Sequence, residues 1–193
     1  MVFGDVIRYY PELARQLPDD IIFLDWIYDP KPVYDTPALF HSAGRPFWVS
    51  PGTGNWNTLF PRLDGSITNI VNLTLEGIEQ GAAGMLLTDW NDHGGYTQPA
   101  PAWFLYAYGA AVAWSGKDPG KAGVSRGIDG ILDLPGYSQI ILELGEIHRI
   151  PPIWSKNRSQ DVMALFDEPI TGASVRGPQV PTDLVAFDLS LPP

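Results

Sequence analysis

Short apolar segments alternate with segments of helical periodicity through the first two thirds of the chain. Residues 21–24, 47–50 and 84–87 are apolar runs bounded by breakers, which predicts buried strands. Apolar residues at helical spacing follow at 67–80, and an apolar, aromatic helix is predicted at 102–114. Repeated strand–helix units predict an α/β fold with parallel strands and outer helices. Chemistry in such folds gathers at the carboxyl ends of the strands.

A polar loop with a tryptophan follows each of these strands. The tryptophans are Trp26, Trp56 and Trp90, and three such loops are much harder to obtain by chance than one. The last loop places Asp89 and Asp92 on either side of Trp90. A sugar ring uses both kinds of group, because its C–H groups stack on an aromatic face and its hydroxyls donate to carboxylates. If the segment around Trp90 binds no ligand, it is a strand end with an Asp-rich turn and a core tryptophan.

Three other tryptophans lie inside predicted elements rather than in loops. Trp48 falls within a strand, and Trp103 and Trp114 fall within the apolar helix. We expect all three to be core residues, because large apolar side chains in regular elements usually pack against their neighbours.

Composition excludes several classes of function. A net charge of −10 disfavours nucleic acid, because nothing offsets the repulsion from phosphate groups. The chain has no cysteine, hence no disulfide framework and no thiolate chemistry, and its three scattered histidines do not predict a metal site. No apolar run reaches the length that spans a bilayer. The first residues lack a signal-peptide pattern, which favours a cytoplasmic location. We expect no cofactor.

The sequence changes character from residue 117 onward. Short helices are predicted at 128–134 and 137–147. The tail beyond Glu168 is rich in Pro, Gly, Thr and Val without clear periodicity, so we expect it to be irregular. These features divide the chain into residues 1–116 and a helical C-terminal region, 117–193.

Four segments, in order, resemble the last four barrel strands of family 20 glycoside hydrolases, the β-N-acetylhexosaminidases. Residues 81–92 are similar to the last strand of a bacterial branch that carries the pattern G-x-x-G-M-L-x-T-D-W-G-D. Residues 3–5 resemble the end of the fifth strand, 17–28 the sixth and 49–57 the seventh. The resemblance implies the C-terminal half of a (β/α)8 TIM barrel, with about four parallel strands and outer helices, followed by a small helical region.

The sequence departs from the family pattern at four positions. Phe3 stands where the family usually has Trp, which removes or shrinks one stacking wall. Ala83 replaces a usual Glu, Asn91 replaces Gly, and Gly95 replaces His.

The resemblance also implies that the catalytic residues lie outside this chain. The family's Asp-Glu pair follows strand four, whereas residues 3–5 already match the end of strand five. Asp167-Glu168 lies far downstream beside Pro169 and is not a credible substitute. We therefore expect a fragment whose partner is an N-terminal half barrel, and we expect the isolated chain to be inactive.

The resemblance further implies that this chain supplies one half of a sugar pocket. Family members hydrolyse terminal N-acetylhexosamine residues with help from the substrate's own acetamido group. Trp26, Trp56 and Trp90 would wall the sugar ring and its acetamido methyl, and Asp92 would accept hydrogen bonds from sugar hydroxyls. Further polar contacts are expected from Asp5, Tyr28 and Asn57. Glycans containing N-acetylglucosamine or N-acetylgalactosamine are the expected ligands.

Two other functions stay open. The first is a non-catalytic carbohydrate-binding module that uses the aromatic loops alone. The second is a different α/β glycosidase in which Asp89 or Asp92 acts as acid or base. In the sugar pocket implied by the resemblance, we expect Asp25 and Asp89 to support the loops by bonding backbone amides or an indole N–H.

Overall fold

The centre of the molecule is a four-stranded, all-parallel sheet in the order β1-β2-β3-β4. This arrangement comes from a computed structural model that describes residues 1–90 and 97–147. The strands are short: β1 (Val2–Phe3), β2 (Phe23–Trp26), β3 (Phe47–Ser50) and β4 (Gly84–Met85). The predicted α/β class with parallel strands is confirmed.

Helices connect the strands and continue beyond the last one. They are α1 (Asp5–Tyr9), α2 (Thr36–Ser42), α3 (Leu63–Glu79), α4 (Trp103–Ser115), α5 (Gly120–Leu132) and α6 (Tyr137–Leu144). A 3₁₀ helix, Pro11–Gln16, stands where a short α-helix with an early proline would fit the sequence. α5 begins at Gly120 rather than at residue 128, because its glycines weaken the helical signal in the sequence.

Side chains alternate between the two faces of the sheet. Phe23, Phe47 and Val49 point to one face, where side chains from α1, α2 and α3 join them in a buried cluster. On the opposite face Leu24 lies beside Trp48 in the next strand. The helices therefore cover one face, as expected for helices outside a parallel sheet.

A second core cluster joins α3 to α4, α5 and α6. Its buried members include Ile70, Leu105, Ile128 and Ile141. This cluster extends across the predicted boundary between residues 116 and 117, so the described helices on both sides share one core. The division into two regions stays a prediction, because the C-terminal region is described only to residue 147.

The expectation that three tryptophans are core residues is wrong for the two in α4. Trp103 is 43% exposed and Trp114 is 94% exposed. α4 is apolar on all sides, so its sequence does not indicate which side is buried. The buried side carries Phe104 and Tyr108 instead. Trp48 is half-buried, on the sheet face away from the helices.

Within the described residues, no helix combines the length and the apolar character needed to cross a bilayer.

We expect Gly77→Ala to destabilise the chain by about 1–3 kcal/mol, because overpacking a close contact costs this much. A Cβ at Gly77 would lie 2.5 Å from Cγ1 of Val49, whose branched side chain is stiff. Gly127→Ala is the matched control, since Gly127 is also helical but has nothing within 4 Å of its Cβ position. The control should stabilise the helix by about 0.5–1 kcal/mol. Urea denaturation measures both, and equal effects would contradict the packing of α3 on β3.

Candidate functional site

The carboxyl ends of the strands open onto a cleft of about 750 Å³. The described residues that line it are mostly aromatic, with two carboxylates and one guanidinium among them. The lining residues are Phe3, Asp5, Arg8, Tyr9, Trp26, Ile27, Tyr28, Asp29, Trp56 and Trp90. The segments that follow all four strands therefore meet at one point, as the parallel topology requires.

Three rings stand in contact along this cleft. The ring centroid of Tyr28 lies 4.9 Å from that of Trp26 and 4.9 Å from that of Trp56. The ring of Trp90 lies 6.1 Å from that of Phe3, at an interplanar angle of 47°. Tilted rings at these spacings attract one another. The structure thus brings the three predicted loop tryptophans to one cleft.

The hydroxyl of Tyr28 joins the loops that follow β2 and β4. Trp90 Nε1 donates to Tyr28 Oη at 2.7 Å. Thr88 Oγ1 lies 3.1 Å from the same oxygen and 3.1 Å from the carbonyl oxygen of Pro51. Burial raises the pKa of Tyr28, although the bonds from Thr88 and Trp90 lower it. Tyr28 is therefore a neutral group at ordinary pH, and its oxygen fixes the orientation of the Trp90 indole.

A polar residue of α3 positions two of the loops. Asn69 is fully buried, and its Oδ1 accepts from the N–H of Gly52 at 3.0 Å. Its Nδ2 donates to the carbonyl of Ile27 at 2.7 Å and to the hydroxyl of Tyr34 at 2.8 Å. Asn69 is not among the site residues predicted from the sequence. The available signal was a polar side chain four positions before the buried Leu73, on the packed face of the helix.

Gly52 allows the backbone to approach the aromatic rings closely. A Cβ at this position would lie 2.8 Å from the rings of both Trp56 and Tyr28. Gly52 also pairs with Thr88 in an isolated parallel bridge, which carries the β3–β4 pairing into the loops. The backbone is thereby fixed where the cleft begins.

A buried ion pair lies next to Trp26. Asp25 is 0% exposed, Thr36 Oγ1 donates to its Oδ2 at 2.6 Å, and Arg8 Nε lies 3.7 Å from its Oδ1. Arg8 Nη2 donates to the carbonyl of Trp26, and Arg8 Cζ lies 4.9 Å from the ring centroid of Trp26. The expectation that Asp25 bonds a backbone amide or an indole is wrong, because its hydrogen bond comes from the Thr36 hydroxyl. The Arg8 guanidinium contacts it as an ion pair without a hydrogen bond.

Burial raises the pKa of Asp25 from 3.8 to about 6. The hydrogen bond from Thr36 and the charges of Arg8 and Lys31 act in the opposite direction, whereas Asp35 adds to the increase. Desolvation outweighs these partners because a carboxylate loses its hydration in a protein interior.

Three side-chain donors hold Asp89, which is not among the described residues that line the cleft. Thr53 Oγ1 donates to Asp89 Oδ1 at 3.0 Å, while Asn55 Nδ2 and Tyr106 Oη donate to Oδ2 at 3.4 and 2.5 Å. Burial, together with this carboxylate, raises the pKa of Tyr106. The predicted supporting role agrees with this geometry, but the donors are hydroxyls and an amide side chain.

The remaining predicted site residues have different placements. Asp5 and Tyr28 line the cleft, and Trp56 does so with only 5% of its surface exposed. Asn57 is buried with a positive φ of 52°, and it is not part of the cleft lining. Asp92 lies outside the described residues.

Residues 1–90 and 97–147 contain no group of three or more His, Asp or Glu side chains placed to hold a metal ion. No protein-family model, curated protein or solved structure matches this chain. Aromatic faces flanked by carboxylates and a guanidinium are suited to a ligand with apolar C–H faces and polar edges.

The pKa of Asp25 leads to a prediction about stability and pH. Because the folded-state pKa is raised, the carboxyl group contributes stability below about pH 4, and this is lost as the pH rises through about 6. Asp25→Asn removes the titration. We expect wild type to lose up to about 3 kcal/mol relative to Asp25→Asn between pH 4 and pH 7, measured by urea denaturation.

Asp129→Asn provides a control of opposite sign. Desolvation raises the pKa of Asp129, but hydrogen bonds from Ser138 and the Gly136 N–H together lower it overall. Wild type should therefore lose stability relative to Asp129→Asn as the pH falls. A constant difference between wild type and Asp25→Asn across this range would show that Asp25 titrates normally.

Proposed function

We propose that this chain supplies strands five to eight of a (β/α)8 barrel and that its cleft binds the terminal N-acetylhexosamine residue of a glycan, as part of a β-N-acetylhexosaminidase. The observation that carries the proposal is the convergence of Trp26, Tyr28, Trp56 and Trp90 at the carboxyl ends of parallel strands. The resemblance of four ordered motifs to family 20 glycoside hydrolases supports it.

The size and chemistry of the cleft suit one sugar residue. Its volume of about 750 Å³ is within the range of about 300–1,000 Å³ typical of small-molecule sites. The rings offer faces for the apolar side of a pyranose and for an acetamido methyl. Asp5 and Asp29 offer acceptors for hydroxyls, and each such charge-assisted bond is worth about 1.5–3 kcal/mol.

The edges of the sheet suit a half barrel. Within the described residues, β1 and β4 each pair with a single neighbouring strand. Four further strands between these edges would close an eight-stranded barrel. The exposed aromatic side of α4, with Trp103 and Trp114, would then pack against helices of the other half. We therefore propose an N-terminal half barrel as the partner of this chain.

That partner would carry the Asp-Glu pair. The Glu would protonate the leaving oxygen, and the Asp would orient the acetamido group that attacks the anomeric carbon. The present chain would bind and orient the sugar but would not supply the proton donor.

A carbohydrate-binding module without catalysis is the second candidate, favoured by the same aromatic cleft. A glycosidase that uses Asp89 as acid or base has less support, because both of its oxygens accept hydrogen bonds from fixed donors. The same role for Asp92 rests on the sequence alone, since Asp92 lies outside the described residues.

We expect Trp90→Ala to weaken binding of N-acetylglucosamine several-fold, because one aromatic contact is worth about 0.5–1.5 kcal/mol. Trp90 lines the cleft and is 41% exposed, so its loss leaves the core intact. Trp114→Ala is the matched control, since Trp114 is exposed on α4 away from the cleft. Titration monitored by protein NMR measures both affinities. Equal affinities for wild type and Trp90→Ala, or the absence of binding by wild type, would refute a sugar site here.

We also expect the purified chain not to hydrolyse a nitrophenyl N-acetylglucosaminide. Loss of a general acid costs about 10²–10⁴-fold in rate, and half of the pocket would be missing as well. Addition of a polypeptide with strands one to four and the Asp-Glu pair should restore turnover. Hydrolysis that scales with the concentration of this chain alone and disappears in Asp92→Ala would favour a different α/β glycosidase instead.

A further inference from the structure

Among the described residues that line the cleft, Arg8 is the one with a cationic side chain. It belongs to α1, and its guanidinium lies over the ring of Trp26, with Cζ 4.9 Å from the centroid. Its Nη2 donates to the Trp26 carbonyl, and its Nε faces Asp25. Stacking and the ion pair together hold a long, flexible side chain in one place.

Both N–H groups on Nη1 of this guanidinium lack a hydrogen-bond partner among the described residues. An arginine carries five N–H donors, and no hydrogen bond joins Arg8 Nη1 to any of the described residues. The side chain is 21% exposed, so it reaches the space of the cleft. The guanidinium is held by its Nη2 hydrogen bond and by stacking, while Nη1 is unpaired. A donor oriented in this way is suited to bind an oxygen atom of a ligand.

The charges around Arg8 indicate which oxygen it can bind. Asp25 offsets its positive charge from the protein side, and Asp5 and Asp29 add two further carboxylates to the cleft lining. The described lining of the cleft therefore has no excess of positive charge to attract an anionic ligand. Arg8 can still donate hydrogen bonds to a neutral acceptor, such as a hydroxyl or an acetamido carbonyl.

We propose that Arg8 is a specificity-determining residue of the cleft, which donates Nη1 hydrogen bonds to an uncharged oxygen of the bound sugar, and that Asp25 is the residue that positions it. This inference rests on the proposed sugar site. It adds a ligand contact and a preference for neutral over carboxylated or sulfated sugars.

The positioning role of Asp25 makes sugar binding depend on pH. The charged groups that act on Asp25 are Arg8 from α1, together with Lys31 and Asp35 from the segment between β2 and α2. Above the raised pKa of about 6, ionised Asp25 holds the guanidinium. Below it, the neutral carboxyl group loses this attraction, so affinity for the sugar should fall as the pH decreases from 7.5 to 5.

The test uses the full chain with N-acetylglucosamine as the probe, followed by NMR. At pH 7.5, Arg8→Met should bind about tenfold or more weakly, because it loses charge-assisted hydrogen bonds. Arg8→Lys should also bind more weakly, since an ammonium lacks the planar fork. Arg15→Met is the matched control, because Arg15 lies on the 3₁₀ helix and lines a different groove. The control should bind like wild type.

The outcomes distinguish failure of the Arg8 contact from failure of the proposed sugar site. Wild type that binds no N-acetylhexosamine would overturn both. Wild type that binds, with Arg8→Met unchanged, would overturn only the role of Arg8. Tighter binding of N-acetylglucosamine 6-sulfate than of N-acetylglucosamine would overturn the preference for a neutral ligand. A flat pH profile for wild type, matching that of Asp25→Asn, would overturn the positioning role of Asp25.

A second measurement covers the case in which Arg8→Met does not fold, which a thermal melt would detect. The side-chain ¹H–¹⁵N signal of Arg8 in wild type should shift when N-acetylglucosamine saturates the protein. The same signal of Arg15 should stay in place. A saturated complex with an unmoved Arg8 signal would overturn the proposed contact.

Discussion

The three hydrogen bonds of Asn69 are the constraint on which the cleft depends. A buried amide that leaves its donors or acceptor unpaired costs about 1–3 kcal/mol per group, so the loops after β2 and β3 must bring Ile27 and Gly52 to it. The helix that covers the sheet therefore also fixes the ends of its central strands. Tyr28 and Trp56 follow these anchored positions by one and four residues, and their rings meet because the backbone beneath them is fixed.

Side chains, together with the backbone bridge between Gly52 and Thr88, connect the loops around the cleft. Tyr28 receives the Trp90 indole N–H, and Asp89 gathers donors from the loop after β3 and from α4. Each of these links joins segments far apart in the sequence. The loops are thus supported as one unit, which is what a binding site on flexible segments requires to limit the entropy lost when a ligand binds.

The apolar runs at 21–24, 47–50 and 84–87 predict three of the four strands, whereas the first strand and the order of the sheet follow from the family resemblance. The sequence also predicts that Trp26, Trp56 and Trp90 share one edge, since that follows from parallel strands alone. It does not predict which side of α4 is buried, because that helix lacks polar residues to mark its outer side. The pairing of Arg8 with Asp25 is equally hidden, since it arises only when α1 lies beside β2. Asn69 could have been identified from the sequence, because it is a polar residue on the packed face of a helix.

The contacts among aromatic rings have an optical consequence. Tyr28 is held between Trp26 and Trp56 at fixed tilts of 43° and 51°, and aromatic side chains in a fixed asymmetric environment give rise to near-ultraviolet circular dichroism. That signal disappears when side-chain packing loosens while the helices persist. Buried rings of the core, such as Tyr34, Phe104 and Tyr108, contribute to the same signal. The near-ultraviolet spectrum therefore reports the side-chain packing of the cleft together with that of the core, whereas the far-ultraviolet spectrum reports the helices.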